Sequence, residues 1–281
     1  MSSALFTVDE LRALRRVADV ELPHFVSAGD TGHVAVDAAA LRGLAVRGLV
    51  TLERGTAIDG VKVDGELDRL LGPCSSPYVL AEVEMESAGR LTHIAVVVGM
   101  DRRATLLTEL PAGLVSVECA DADVSRLLAC VCRLDEVAET DIGVGFTVAA
   151  EAQLEADGLV LGGAPEAAVD LLMRAGIQAS AARTWVAAVA GRRYAASVSV
   201  ARRRRPEGGA AEAGELRWLV AGDGIAWRVD PAEAGEPSAA PWPDIQGPEY
   251  AVITTSTRQA LYRDLTALAG QEEAATEMAD R

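Results

Sequence analysis

The chain has 281 residues, half of them apolar, and a formal net charge of −16. That length and apolar content suit one large domain or two small ones with a substantial core. The acidic balance argues against a nucleic-acid binder, which needs basic surface to displace counterions from phosphate, and equally against an anionic membrane surface.

The first periodic segment, Thr7 to Val20, reads as a helix. Thr7 is a natural cap, Glu10 stands three residues on as in a capping box, and Leu11, Leu14 and Val17 form the apolar stripe. A second helix is expected from Asp37 to Arg47, ending at Gly48, and a third from Asp64 to Leu71, ending at Gly72-Pro73. From Tyr78 the period falls to two. "YVLAEVEME" alternates, with Val79, Ala81, Val83 and Met85 on one face, and "LTHIAVVVG" suits a strand covered on both sides. "RATLLTEL" and "LVSVECA" are shorter strands. Asp121 or Asp123 then caps a helix bearing Val124, Leu127, Leu128 and Val131. Order drops over Arg133 to Gly145, which reads as a joint.

Beyond the joint the programme recurs. "TVAAEAQLEADG", "APEAAVDLLMRAGI" and Ala179 to Ala190 read as helices, and "RRYAASVSVA" as a strand. "ELRWLVAGDGIAWRV" is a hairpin turning at Gly-Asp-Gly, followed by the strand "YAVITTS" and a closing helix with Leu261, Leu265 and Leu268 in line. Leu41, Leu44, Ala45, Gly48 and Leu49 are spaced as Val169, Leu172, Met173, Gly176 and Ile177, an apolar helical face ending in a glycine both times. The expectation is an α+β fold: a mixed central sheet flanked by helices, with a quasi-two-fold repeat of helices, four strands and a helix. Residues 1–269 then form one domain of two similar halves, about 6–133 and 146–269, and 270–281 a disordered tail. In this frame the hairpin is the second copy of Leu91 to Leu110, and Trp218 and Trp227 read first as sheet packing, with a ligand cage as the alternative.

Chemistry is sparse. His24, His33 and His93 lack metal-ligand spacing, and only Cys130 and Cys132 lie close together among Cys74, Cys119, Cys130 and Cys132. Neither a nucleophile elbow nor a phosphate-binding glycine loop is present. The expectation is reduced core thiols, no metal, no cofactor and no catalytic centre. "ARRRRPEGGAAEAGE" reads as a long solvated hairpin loop with a basic shoulder, with a contact for an acidic patch on a protein partner as the alternative and nucleic acid a poor one, and "PAEAGEPSAAPWPDIQGPE" as a mobile or extended loop in which Trp242 either folds back or anchors a partner. No basic-then-apolar leader opens the chain, and no apolar run is long enough to span a bilayer.

"TVDELRAL", "LRGLAVRGLV", "DGELDRLL" and the later run "RRYAASVSVARRR…GELRWLVAGDGIAWRVDP…ITTSTRQALYRDL" resemble the EspG family of type VII (ESX) secretion-associated proteins, over about Phe6 to Leu268. The resemblance implies one α/β domain with quasi-two-fold symmetry. It further implies a cytoplasmic chaperone that holds the helical tip of a secretion substrate, a PE–PPE-like or WXG-like helical protein, on its central sheet and C-terminal helical bundle. The family has no short motif for that surface. By position the candidates are the turn bearing Ser87, Gly89 and Arg90, the helices bearing Arg174 and Trp185, and the aromatics Trp218 and Trp242. The segment Pro231 to Glu249 departs from the family. Homodimerisation stays open. A winged-helix regulator, suggested by "DAAALRGLAVRGLVTLERG", and a small-molecule enzyme using scattered carboxylates are the competing readings.

Overall fold

The computed structural model describes residues 3–28, 34–52, 61–120, 123–203, 211–232 and 250–270. His33, residues 204–210, residues 233–249 with Trp242, and the segment 271–281 lie outside these residues, so the expectations about them have no counterpart here; the expected loop from Ala201 to Glu215 is shorter than read, because Ala201–Arg203 and Ala211–Glu215 are paired strand.

The first half of the chain runs β1 (Ser3–Thr7), α1 (Val8–Ala18), α2 (His24–Ser27), α3 (Val34–Val46), a small hairpin β2 (Val50–Leu52) and β3 (Val61–Val63), α4 (Gly65–Ser75), then β4 (Pro77–Ser87), β5 (Arg90–Gly99), β6 (Ala104–Leu110), β7 (Leu114–Ala120) and α5 (Val124–Val131). The second runs β8 (Gly145–Ala149), α6 (Ala150–Leu161), α7 (Pro165–Arg174), α8 (Ala179–Ala190), β9 (Tyr194–Arg203), β10 (Ala211–Val220), β11 (Ala226–Ala232), β12 (Tyr250–Ser256) and α9 (Arg258–Ala269).

Ten strands form one sheet in the order β1-β7-β6-β5-β4-β9-β10-β11-β12-β8. The α+β architecture around a central sheet is as expected. Its pairings are antiparallel throughout, however, not mixed. Short connections such as Ala88-Gly89 can join only antiparallel neighbours. Ala88 (φ 51°) and Gly89 (φ 71°) are both left-handed, the conformation of a two-residue hairpin turn.

One helix end and one hairpin turn have the same hydrogen bonds in both parts of the chain. At the end of α3, Arg47, Gly48 and Leu49 N–H donate to Gly43, Ala45 and Leu44 carbonyls; at the end of α7, Ala175, Gly176 and Ile177 donate to Leu171, Met173 and Leu172. The turn after β5 and the turn after β10 also match. Asp101 accepts from the Arg103 amide (3.1 Å) as Asp223 accepts from that of Ile225 (3.0 Å). The left-handed position is Arg102 in one and Gly224 in the other; Gly222 does not adopt it. Thr105 pairs with Cys119 where Trp227 pairs with Thr255.

One sheet face carries Val83, Val96, Val198 and Trp218 and is covered by α5 and α9, with Leu128, Leu261 and Leu265 in the same cluster. The other face carries two separate helical layers. In the first half Leu11, Leu44, Leu67 and Leu70 pack on Val97, Leu107 and Val117. In the second, Leu172, Trp185 and Val189 pack on Leu219, Trp227 and Ile253.

Several boundaries differ from expectation. Strands β1 and β8 precede the first helix of each half, so "TVAAEAQLEADG" becomes helical only at Ala150. Five residues running straight into a helix carry too little alternation to be seen. Helix α4 passes through Pro73 to Ser75 instead of ending before it. The Arg69 carbonyl, four residues before Pro73, accepts from Cys119 Sγ at 3.5 Å, so that carbonyl keeps a partner. The joint is packed, not loose: Leu134 and Val137 are buried, the Ala138 amide donates to Gly224 O (2.8 Å), and Arg258 donates to the carbonyls of Val137 and Asp135.

Candidate functional site

The two helical layers of this shared face reach inward to Val97 of β5 and Leu219 of β10, and among the described residues the polar side chains between them, on the middle of the face, are partly or fully exposed. The floor there comes from β5, β4, β9 and β10. Alternation along β4 sends Val79, Ala81 and Val83 into the core under α5 and α9, so Leu80, Glu82, Glu84 and Glu86 point to the floor. Register then lines up polar side chains across the strands. In one transverse row His93 faces Glu84, Glu84 faces Ser197, and Ser197 faces Arg217. In the next, Ala95, Glu82, Ser199 and Glu215 stand in line.

The rows are wired together. Glu215 accepts from Ser197 Oγ (3.1 Å) and Arg217 Nε (2.7 Å). His93 lies between Glu84 (3.7 Å) and Glu109 (3.8 Å), with its ring stacked on Phe25 of α2 at 5.9 Å. Glu82 accepts the His24 backbone N–H at the start of α2 (2.8 Å), and Arg192 at the foot of β9 is hydrogen-bonded to Glu86. Glu84 and Arg217 side chains remain 59% and 60% exposed, so this polar surface is open to a partner.

At the second-half wall, Asp157 of α6 accepts from Trp185 Nε1 at 2.9 Å and also from Gln153. Burial lifts its carboxyl from 3.8 to about 6, against the opposing pull of those two hydrogen bonds and Arg192. On the same layer Leu154, Leu161 and Met173 are exposed, as is Leu91 at the start of β5.

The candidate residues read from the sequence fall in different places. Ser87, Gly89 and Arg90 form the β4–β5 turn; Ser87 Oγ donates to Arg193 O at 3.2 Å, and Gly89 and Arg90 are exposed. Arg174 is exposed at the end of α7 and bonds back to the Asp170 carbonyl. Trp185 is 1% exposed, edge-on to Trp227 (5.6 Å) and Phe146 (6.3 Å), and so is a core residue rather than a surface anchor. Trp218 is equally buried on the opposite face, below α9, and packs the sheet. Its Nε1 has no hydrogen bond of ordinary geometry, although the Tyr194 hydroxyl, which donates to Arg133 O (2.9 Å), is beside it. The floor residues Glu82, Glu84, Glu86, Glu215 and Arg217 were not singled out. The signal for Glu82, Glu84 and Glu86 is the charged half of the alternation in "YVLAEVEME", and for Glu215 and Arg217 that in "ELRWLV"; neither marks a site until β4 and β9 are known to be central.

Among the described residues no group of three or more His, Cys, Asp or Glu side chains is arranged to hold a metal ion, and no helix is long and apolar enough to cross a membrane. Burial pushes the Cys74 thiol up to about 12, with Glu21 adding to the effect, and raises that of Cys132 as well, which suits inert core thiols.

No protein-family model matches the chain, and no curated protein matches it in sequence. Its fold is nonetheless that of a solved structure. The type VII secretion system chaperone EspG5 of Mycobacterium tuberculosis, determined in complex with a PE25–PPE41 dimer, aligns over 95% of both chains with a TM-score of 0.59 and 13% sequence identity. The protein therefore has an EspG-like fold.

Proposed function

We propose that the protein is a chaperone of type VII secretion that holds the helical end of a PE–PPE-like substrate dimer over the polar middle of its sheet. The observation that carries this reading is the EspG-like fold over nearly the whole chain, together with a floor whose exposed polar rows are free to meet a partner. Four strands at about 4.8 Å spacing give a floor roughly 14 Å wide, close to the 10–12 Å diameter of one helix with its side chains. Leu91, exposed at the start of β5 and paired with Glu86, supplies an apolar anchor beside the charged rows, which give a polar rim. Such a role needs no reactive group. The protein would act in the cytoplasm, before export.

The winged-helix alternative gains nothing from the geometry. Helix α3 carries one basic residue, Arg42, and buries Leu41 and Leu44 in the first-half core.

The test is co-expression with a PE–PPE-type pair encoded beside it, followed by size exclusion. The wild type is expected to co-elute, and Glu84→Lys with Arg217→Glu to weaken the complex about tenfold or more, a loss of roughly 1.4 kcal/mol. A wild type that elutes alone from every such pair would refute the chaperone reading. Binding that ignores the charge reversals would move the contact off the floor.

A further inference from the structure

The register of the floor contains a local symmetry that its side chains break. Val83 and Val198 face each other across β4 and β9. Rotation by half a turn about that pair exchanges the two antiparallel strands and carries β5 onto β10. Glu84 then exchanges with Ser199, Glu82 with Ser197, His93 with Glu215, and Arg217 with Ala95. To the backbone alone, the two directions of a helix laid on the floor are equivalent.

The side chains make them unequal. Glu82 is engaged with the His24 amide, Glu86 with Arg192, and Glu215 with Ser197 and Arg217. Glu84 and Arg217 stay the more open, at 59% and 60% exposure. Their mates carry no charge: Ser199 is exposed, and Ala95 is fully buried in the first-half core. Glu84 and Arg217 belong to one transverse row with Ser197 between them, two strand steps or about 10 Å apart. That spacing lets them flank a helix about 10–12 Å across laid along the strands. Beneath it β9 presents Ser197, Ser199 and Ala201, none larger than serine, so the helix can lie close.

We infer that Glu84 and Arg217 fix which way round a helical client lies on the floor, with a basic side chain of the client over β4 and an acidic one over β10. The inference rests on the chaperone reading above and adds to it the chemistry of the partner. Charge complementarity selects the occupant. In one direction the base meets Glu84 and the acid meets Arg217. Turned by half a turn, the base stands over Ser199, whose neighbours Glu82 and Glu215 are already engaged. The acid then stands over the buried Ala95, beside Glu82 and repelled by it. Charges placed in this way discriminate between arrangements more than they add affinity.

The test uses the full chain and the PE–PPE-type pair encoded beside it, with titration calorimetry. Glu84→Ser combined with Ser199→Glu moves the acid across the axis at constant net charge, at two exposed positions. This transposed variant is expected to bind about tenfold more weakly while melting at the wild-type temperature. Orientation is read by photocrosslinking from benzoylphenylalanine placed at Leu91 or at Ala213, exposed floor positions that the same half-turn exchanges. The two probes are expected to label different client segments in the wild-type complex. With Glu84→Ser and Arg217→Ser both present, the labelled segments should overlap. Affinity of the transposed variant within about twofold of wild type overturns the inference. So does labelling that stays distinct once both charges are gone, and this labelling decides alone should the transposed variant melt early. Either result leaves the chaperone reading standing, whereas a wild type that binds no such pair removes both.

Discussion

Replacing Asp157 by Asn is expected to stabilise the protein at neutral pH and to leave it unchanged in acid. The carboxyl is buried against Trp185 and Gln153, and burial raises its pKa from 3.8 to about 6. Since the folded-state value lies above the unfolded one, the folded chain holds the proton more tightly between those limits. Stability from this group is complete below about pH 4 and is lost as pH rises through 6. A change of this size corresponds to roughly 3 kcal/mol at about 1.4 kcal/mol per pH unit; water reaches part of the carboxylate, so about 2 kcal/mol is the expected figure. Asparagine keeps the carbonyl oxygen that accepts from Trp185 Nε1 and carries no charge to desolvate. Urea unfolding followed by far-UV circular dichroism, at about pH 4 and pH 7.5, gives the difference between variant and wild type. The difference should grow from near zero to about 2 kcal/mol across that range. A variant less stable at pH 7.5, or a difference that does not change with pH, would refute the assignment of a strained carboxylate at this wall.

Thiol labelling by an aromatic disulfide under native conditions is expected to reach exposed Cys130 first and half-buried Cys119 more slowly, with Cys74 and Cys132 reacting only on unfolding; rapid reaction of Cys74 would contradict its burial in the first-half core. At Gly99 a Cβ would stand 2.9 Å from the backbone of Pro73 and 2.8 Å from Asp101, so Gly99→Ala should cost about 1–3 kcal/mol. The matching position in the second half is already Ala221, and a Gly99→Ala protein with an unchanged melting temperature would show that the two hairpins are interchangeable there.

Much of the fold could be read in advance because its signals are local. The Thr7–Glu10 capping box forms as its spacing requires, Asp123 caps α5, and the leucines of α9 meet the sheet. The match between Gly48 and Gly176 follows from a glycine-terminated helix, which any sequence can display. What escaped reading depends on distant partners. β1 and β8 are strands because β7 and β12 supply their bonds. Trp185 looked like an anchor because an indole on a helix is ambiguous until Trp227 and Phe146 are seen against it. The floor was harder still: charged residues on alternate strand positions usually mean a solvated face, and only the placement of β4 and β9 at the middle of ten strands makes them central.

That central seam sets a kinetic order. Within each half the strands β4–β7 and β9–β12 follow one another in sequence, and the β4–β5 turn closes on two residues. Joining β4 to β9 instead brings together Ser87 and Arg193, 106 positions apart. Closing a flexible loop of that length costs about 4 kcal/mol of chain entropy before any contact across it forms. The hairpins of each half are therefore set to form early and the seam late. The rows of Glu84, Ser197 and Arg217 span both sides of it, so they do not exist as a surface in a half-made chain. A newly synthesised molecule offers that surface only after its second half has been translated and docked, which times the onset of binding by the chain's own assembly.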